Sequence, residues 1–315
     1  MIDFRYHLVS LIAVFLAVAL GIVIGTTALN QPILADIKNQ VSALEQDKRS
    51  LEDRTQQLQT QLDTSDAFEE AVAPALVDGA LAGKSVLLVV TNEDVAQETV
   101  DEVTAMIGEA GGTVSGTVTL HPEYSDPSSS TALQNYVTGS GRPAGVQLPE
   151  VDDAGQLVAS LLAQVLMIPP SGPAPSAADV SSVMAGLGSL DVLNIEGDSI
   201  APADYAVVLT AGAFSGSDAA ERNATVAELA SALDAAGSGA VVAGDFASTA
   251  EDGLVGVIRA DPTLSAAVST VDNVTTAAGQ ISTVLALSSE SDGTSGKYGI
   301  GEDTQPVPPV PTSTP

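Results

Sequence analysis

The chain has 315 residues, room for one or two domains beyond an anchor, and carries 10 Lys+Arg against 40 Asp+Glu for a formal net charge of −30. Nucleic acid is excluded as a partner: binding phosphates requires a Lys/Arg surface, and residues 67–315 hold 5 basic side chains beside 32 acidic ones. No cysteine is present, which excludes a thiol nucleophile, a zinc–thiolate or iron–sulfur site, a disulfide and a lipidated cysteine.

Residues 1–7 form a short head with Arg5, and residues 8–29, LVSLIAVFLAVALGIVIGTTAL, carry no charge. As a helix such a run rises about 33 Å, which matches a hydrocarbon core of about 30 Å. It exceeds the apolar region of a secretory signal, about 7–15 residues, so it reads as an uncleaved single-pass anchor. Arg5 and the amino terminus before it place the N-terminus in the cytoplasm and residues 30–315 outside the cell membrane. Ala13, Ala17, Gly21 and Gly25 recur every four residues and end in G-x-x-x-G. A face of small residues lets two helix backbones approach closely in lipid, making these four a candidate interface; composition alone produces the same spacing in an Ala-rich membrane helix.

Residues 33–66 read as a coiled-coil stalk. Ile37, Leu44, Leu51 and Leu58 take heptad position d, and Leu34, Val41, Lys48, Thr55 and Leu62 take position a, so the seam is apolar except at Lys48 and Thr55. Two parallel copies would pair Gln40 with Glu45, Asp47 with Glu52 and Arg54 with Gln59. None of these is attractive and Asp47 with Glu52 repels. The seam therefore suits a complementary helix of a different membrane protein, with a homodimer as the alternative.

The rest of the chain, residues 67–290, reads as an extracytoplasmic three-layer α/β domain, Rossmann-like with a mainly parallel sheet. An Ala-rich helix from residue 67 is expected to break near Pro74 and close at Gly83. SVLLVVT at 85–91 is a buried strand, 95–110 a helix ended by Gly111-Gly112, and 113–120 a second strand, which together make a βαβ unit. Residues 121–149 form a loop-rich insertion with a short helix around 131–137. Helices follow at 152–167 and 177–187, then buried strands at 190–195, 205–210 and 240–243. Helices at 218–236, 251–258 and 276–289 and a short strand at 268–271 complete the domain. Residues 291–315, rich in Pro, Ser and Thr, read as a disordered tail.

No reactive constellation emerges. Thr91-Asn92-Glu93-Asp94 follows the first strand where a dinucleotide fold needs glycines, and neither G-x-G-x-x-G nor a Walker loop occurs. No G-x-S-x-G elbow is present, and His121 is the one histidine beyond the anchor. Met1, Met106, Met167, Met184, His7 and His121 are the softer donors copper prefers, and they form no clustered motif. His121 with Glu123 and Asp126 amounts to a weak cation grouping. The expectation is a non-enzymatic protein with no catalytic, cofactor or metal residue assigned.

The opening MIDFRYHLVSLIAVFLAVALGIVIGT, the entry APALVDGALAGKSVLLVV to the first strand, and the late STVDNVTTAAGQISTVLAL and KYG segments resemble the actinobacterial MctB family. The resemblance covers nearly the whole chain. It implies an envelope protein of copper efflux or copper homeostasis, associated with the outer membrane, with copper as the implied ligand. For corynebacterial relatives it implies a single-pass partner of another membrane protein in cell separation. It transfers no ligand motif, and one 22-residue helix encloses no pore.

Overall fold

A computed structural model describes residues 4–139, 142–197 and 200–310, and the side chains of all of these except 26–35. The chain divides into two units, residues 1–65 and 66–315. Helix α1, Phe4–Val77, supplies the whole described part of the first unit and enters the second. Its stretch Phe4–Gly25 has a mean hydropathy of 2.9 and is long and apolar enough to cross a membrane.

The helix does not break at Pro74. Proline there removes one bond, to the carbonyl of Glu70, but it lies within the last turn of α1. Ala73, Val77 and Leu81 are fully buried against the sheet at this end, and that burial outweighs one lost bond. The helix stops three residues later, before Gly79 at φ +74.

The second unit is built on one seven-stranded mixed sheet. In chain order its elements are β1 (Ser85–Val90), α2 (Gln97–Glu109), β2 (Thr113–Leu120), α3 (Ser130–Thr138), α4 (Ala154–Leu166), α5 (Ala177–Ser189) and β3 (Leu193–Glu196). Then come β4 (Tyr205–Thr210), α6 (Ala219–Ala236), β5 (Ala240–Gly244), α7 (Leu254–Ala260), α8 (Pro262–Ala267), β6 (Ser269–Val271), α9 (Ala277–Glu290) and β7 (Lys297–Tyr298). The strand order is β3-β2-β1-β4-β5-β6-β7, parallel throughout except for β3.

Strand alternation divides the core between the two faces of the sheet. Leu87, Val89, Val208 and Val242 pack with α4, α5, α6 and α7, while Val86, Leu88, Val207 and Val241 pack with α2, α9 and the end of α1. Helix α4 is apolar nearly all round, and nine of its residues are buried, so it is an interior helix. Asp153 caps it by accepting from the Gln156 amide at 2.9 Å. Glu69, near the end of α1, accepts from the Ala278 amide at 3.2 Å and so caps α9.

Two expectations need correction. The run 190–195 is not a strand buried on both faces. β3 begins at Leu193, runs antiparallel to β2 at the sheet edge and leaves Asn194 and Glu196 exposed. Its direction is imposed by the connections: α5 ends beside the last residue of β2, with the His121 amide bound to the Val192 carbonyl at 2.9 Å, so the chain must run back before β4 can start in parallel.

The domain also does not end at residue 290. β7 adds a seventh strand, and Tyr298 is 2 % exposed. Asp272, wholly buried, holds this segment by accepting from the amides of Ile300 at 2.7 Å and Gly301 at 3.0 Å and from Arg259 Nη1 at 2.6 Å. A composition of Gly, Ser and Pro hides a segment pinned by backbone amides. Residues 311–315 of the expected tail lie outside the described residues.

Candidate functional site

In open α/β sheets, ligands bind beyond the carboxyl ends of the strands where the strand order reverses. Here that point is between β1 and β4, since α2 leads from β1 one way and the chain later returns to β4 on the other side. A crevice of about 390 Å³ opens beside that point, at the ends of β1 and β2, and is lined also by Asp191, by Asn194 of β3, and by Phe214 and Arg222.

Its rim is fixed by backbone. The Thr91 amide donates to the Leu209 carbonyl at 2.9 Å, and Asn92 Nδ2 reaches the Ala211 carbonyl at 3.0 Å, tying the ends of β1 and β4 together. Asn92 Oδ1 also accepts from the Asp94 amide at 3.2 Å. This loop spends its polar groups on itself and presents carboxylates, which agrees with the absence of a phosphate-binding motif.

On the β2 side, His121 follows the strand, and the short 3₁₀ turn Pro122–Tyr124 directs Glu123 beside it. His121 Nδ1 lies 3.1 Å from Asp191 Oδ1 and 3.2 Å from the Asp191 carbonyl. Asp191 sits just past α5 at φ 57, the left-handed position that ends many helices and that Gly or Asn usually takes. One ligand atom each from His121, Glu123 and Asp191 lie within 4.8 Å of one another. Asp126 does not join them. It caps the next 3₁₀ turn by accepting from the Ser128 amide at 2.7 Å, and hydrogen bonds from the Ser128 hydroxyl and then from that amide hold its carboxyl below the usual carboxylate range.

Two buried hydroxyls have no hydrogen-bond partner among the described residues: that of Thr91, which lines this crevice, and that of Tyr124, whose residue also lines the adjoining cleft with Asp153 and Glu228. Burial, reinforced by the charges of Glu228 and Asp153, pushes the Tyr124 phenol well above its ordinary range, so it stays protonated. A buried hydroxyl without a partner costs about 1–3 kcal/mol. Arg222 donates from Nε to Ser125 Oγ at 3.2 Å and lies 4.5 Å over the Phe214 ring, which anchors the remaining wall.

The residues singled out by spacing lie elsewhere. Ala13, Ala17, Gly21 and Gly25 lie on α1 in the apolar stretch, and a Cβ built at either glycine meets nothing within 4 Å. Ile37, Val41, Leu44, Leu51, Leu58 and Leu62 are between 49 % and 70 % exposed, and the side chain of Leu34 lies outside the described residues. The polar seam positions are used within the helix itself: Lys48 pairs with Glu52 at 3.3 Å, and Thr55 Oγ1 donates to the Leu51 carbonyl at 2.8 Å.

Residues 1–309 match the family described as "Copper transport outer membrane protein, MctB". The chain belongs to the MctB family. It is 34% identical over 312 residues to a protein of Mycobacterium tuberculosis named "Copper transporter MctB", covering 98% of this chain and 99% of that one. The Mycobacterium bovis protein of the same name matches equally, and that of Mycobacterium leprae is 33% identical over 309 residues, 96% of this chain and 97% of its own. Among MctB relatives, then, the match spans anchor and α/β domain alike.

The crevice donors bear on the copper in those names. Copper(I) favours thiolate and thioether sulfur. This chain has no cysteine, and Met106, Met167 and Met184 are 6 %, 1 % and 2 % exposed within the core. A soft copper(I) site does not fit these residues. An imidazole with two carboxylates fits a divalent ion of intermediate hardness.

Proposed function

We propose that this MctB-family chain is a single-pass, non-enzymatic envelope protein that works by binding a partner helix, with its N-terminus cytoplasmic and its α/β domain extracytoplasmic. One observation carries the reading: the apolar seam from Ile37 to Leu62 lies on the surface, with six large aliphatic side chains at least 49 % exposed at heptad spacing. Each such side chain gains about 1.5–3 kcal/mol when buried, so an uncovered row of them is a strong drive to association. The flanking pairs of a parallel homodimer include the repulsive Asp47 and Glu52, which favours a complementary helix of another membrane protein; a homodimer is the competing outcome. The small-residue face Ala13, Ala17, Gly21 and Gly25 is the matching contact within lipid. Cell-separation control is the role this reading assigns to such a partnership.

The test exploits the missing cysteines. A Leu44→Cys chain carries one thiol, and oxidative crosslinking in native membranes is expected to yield a mixed-partner band. A dominant band at twice the chain mass would sink the partner reading.

The names of the relatives support a second reading, participation in copper efflux or homeostasis. One helix cannot enclose a conducting path, so this reading has the chain act within a larger assembly. A strain lacking the chain is expected to accumulate copper when challenged; unchanged cell copper would remove this reading.

A further inference from the structure

We propose that the crevice at the carboxyl ends of β1 and β2 binds one divalent transition-metal ion through His121, Glu123 and Asp191. The inference goes beyond partner binding and stands whether or not α1 pairs with another helix. Three observations carry it.

The first is the donor set. His and carboxylate donors suit copper(II) or zinc(II), whereas all-oxygen clusters suit calcium or magnesium. With metal–ligand bonds of about 2.0–2.2 Å, adjacent donors stand about 3.0–3.5 Å apart. The 3.1 Å between His121 Nδ1 and Asp191 Oδ1 lies in that range. Glu123 reaches the same point from two residues beyond His121, within the 4.8 Å limit of the trio.

The second is an unpartnered hydroxyl. Thr91 is 6 % exposed, lines the same crevice, and its hydroxyl has no hydrogen-bond partner among the described residues. A His–Asp hydrogen bond alone leaves it unexplained. A hydrated ion supplies a water ligand that such a hydroxyl binds.

The third is placement. Asp191 lies seventy residues from His121 and is brought to it by α5 and the antiparallel turn into β3, at the carboxyl end of β2 on the ligand-binding edge of this class of sheet. Among the described residues, this is the one group of three or more His and carboxylate side chains with such spacing. Asp191 is exposed and His121 and Glu123 are partly so, and the ion can enter without the fold opening.

The experiment uses the full chain in detergent micelles, titrated with zinc chloride while the imidazole resonances are followed by NMR. The chain has two histidines, and a His7→Gln variant assigns them. The His121 resonances are expected to shift and saturate at one equivalent while those of His7 stay in place. His121→Gln, Glu123→Gln and Asp191→Asn are each expected to weaken binding by about tenfold or more. Asp292→Asn, at the opposite end of the sheet, is expected to leave it unchanged. Copper chloride should give a copper(II) spin-resonance spectrum with one coordinated nitrogen. Unmoved His121 resonances, a shift without saturation over several equivalents, or equal weakening by Asp292→Asn would overturn the proposal. Should a variant misfold, the titration of the unmodified chain decides alone.

Discussion

Glu290 makes the stability of the domain depend on pH. It closes α9, is 8 % exposed, and accepts from the Ser269 amide at 2.8 Å and from Ser295 Oγ at 3.2 Å. Burial, with a smaller push from Asp234, raises its carboxyl to about 7 against an ordinary 4.5. At low pH it is neutral in both folded and unfolded chains. Between 4.5 and 7 the unfolded chain releases this proton while the fold retains it, so the contribution falls across that window and levels off above it. The loss is on the order of 2 kcal/mol. Glu290→Gln keeps the acceptor for Ser269 and is expected to flatten this slope: urea midpoints at pH 5 and 7.5 should lie closer together in the variant than in the parent. Equal slopes would refute it. At the crevice, the same scale shows what spacing can and cannot reveal. His121 and Glu123 stand out in the sequence because histidine is scarce and they are close neighbours, but Asp191 carries no local signature beyond a helix ending without glycine. Asp126 looks the better ligand by proximity and is consumed as a cap.

At the scale of elements, period and punctuation locate most of the domain. SVLLVVT and YAVVLT read as buried strands because both faces are covered, and Gly111-Gly112 and Pro169-Pro170 mark helix ends. The direction of β3 was not legible, because it depends on where α5 delivers the chain. β7 was hidden for another reason: two residues carry no periodicity, and their hold is an amide cradle around Asp272 together with Arg259. Arg259 donates to Asp272 at 2.6 Å and, from Nη2, to the Tyr298 carbonyl at 2.9 Å. A chain ending at residue 290 would lose the Tyr298 ring and leave Asp272 with fewer donors. Removing a buried aromatic alone costs about 3–5 kcal/mol. Thermal melts of chains ending at 290 and at 310 are expected to differ by about 6–20 °C, given about 2–4 °C per kcal/mol for a domain of this size. Coincident melts would show the segment to be dispensable.

For the molecule as a whole, the charge imbalance is the dominant long-range force. With 5 basic and 32 acidic side chains beyond residue 66, mutual repulsion opposes compaction. Screening shortens its reach from about 30 Å at 0.01 M salt to about 8 Å at 0.15 M. The urea midpoint of the α/β domain is therefore expected to rise between 10 and 200 mM sodium chloride, and a midpoint that falls would count against repulsion as the governing effect. Such an acidic body is repelled by anionic headgroups and, at low salt, by its own copies.

The two margins of the sheet carry a consequence for life in a crowded envelope. One margin is β3, four residues long and ending at Glu196; the other is β7, two residues long, whose outer side is taken by Gln305 through bonds of 2.9 Å to Lys297 and Gly299. A neighbouring chain finds little free backbone to extend at either side. Copies of this domain that meet can therefore part again without templating one another into fibrils.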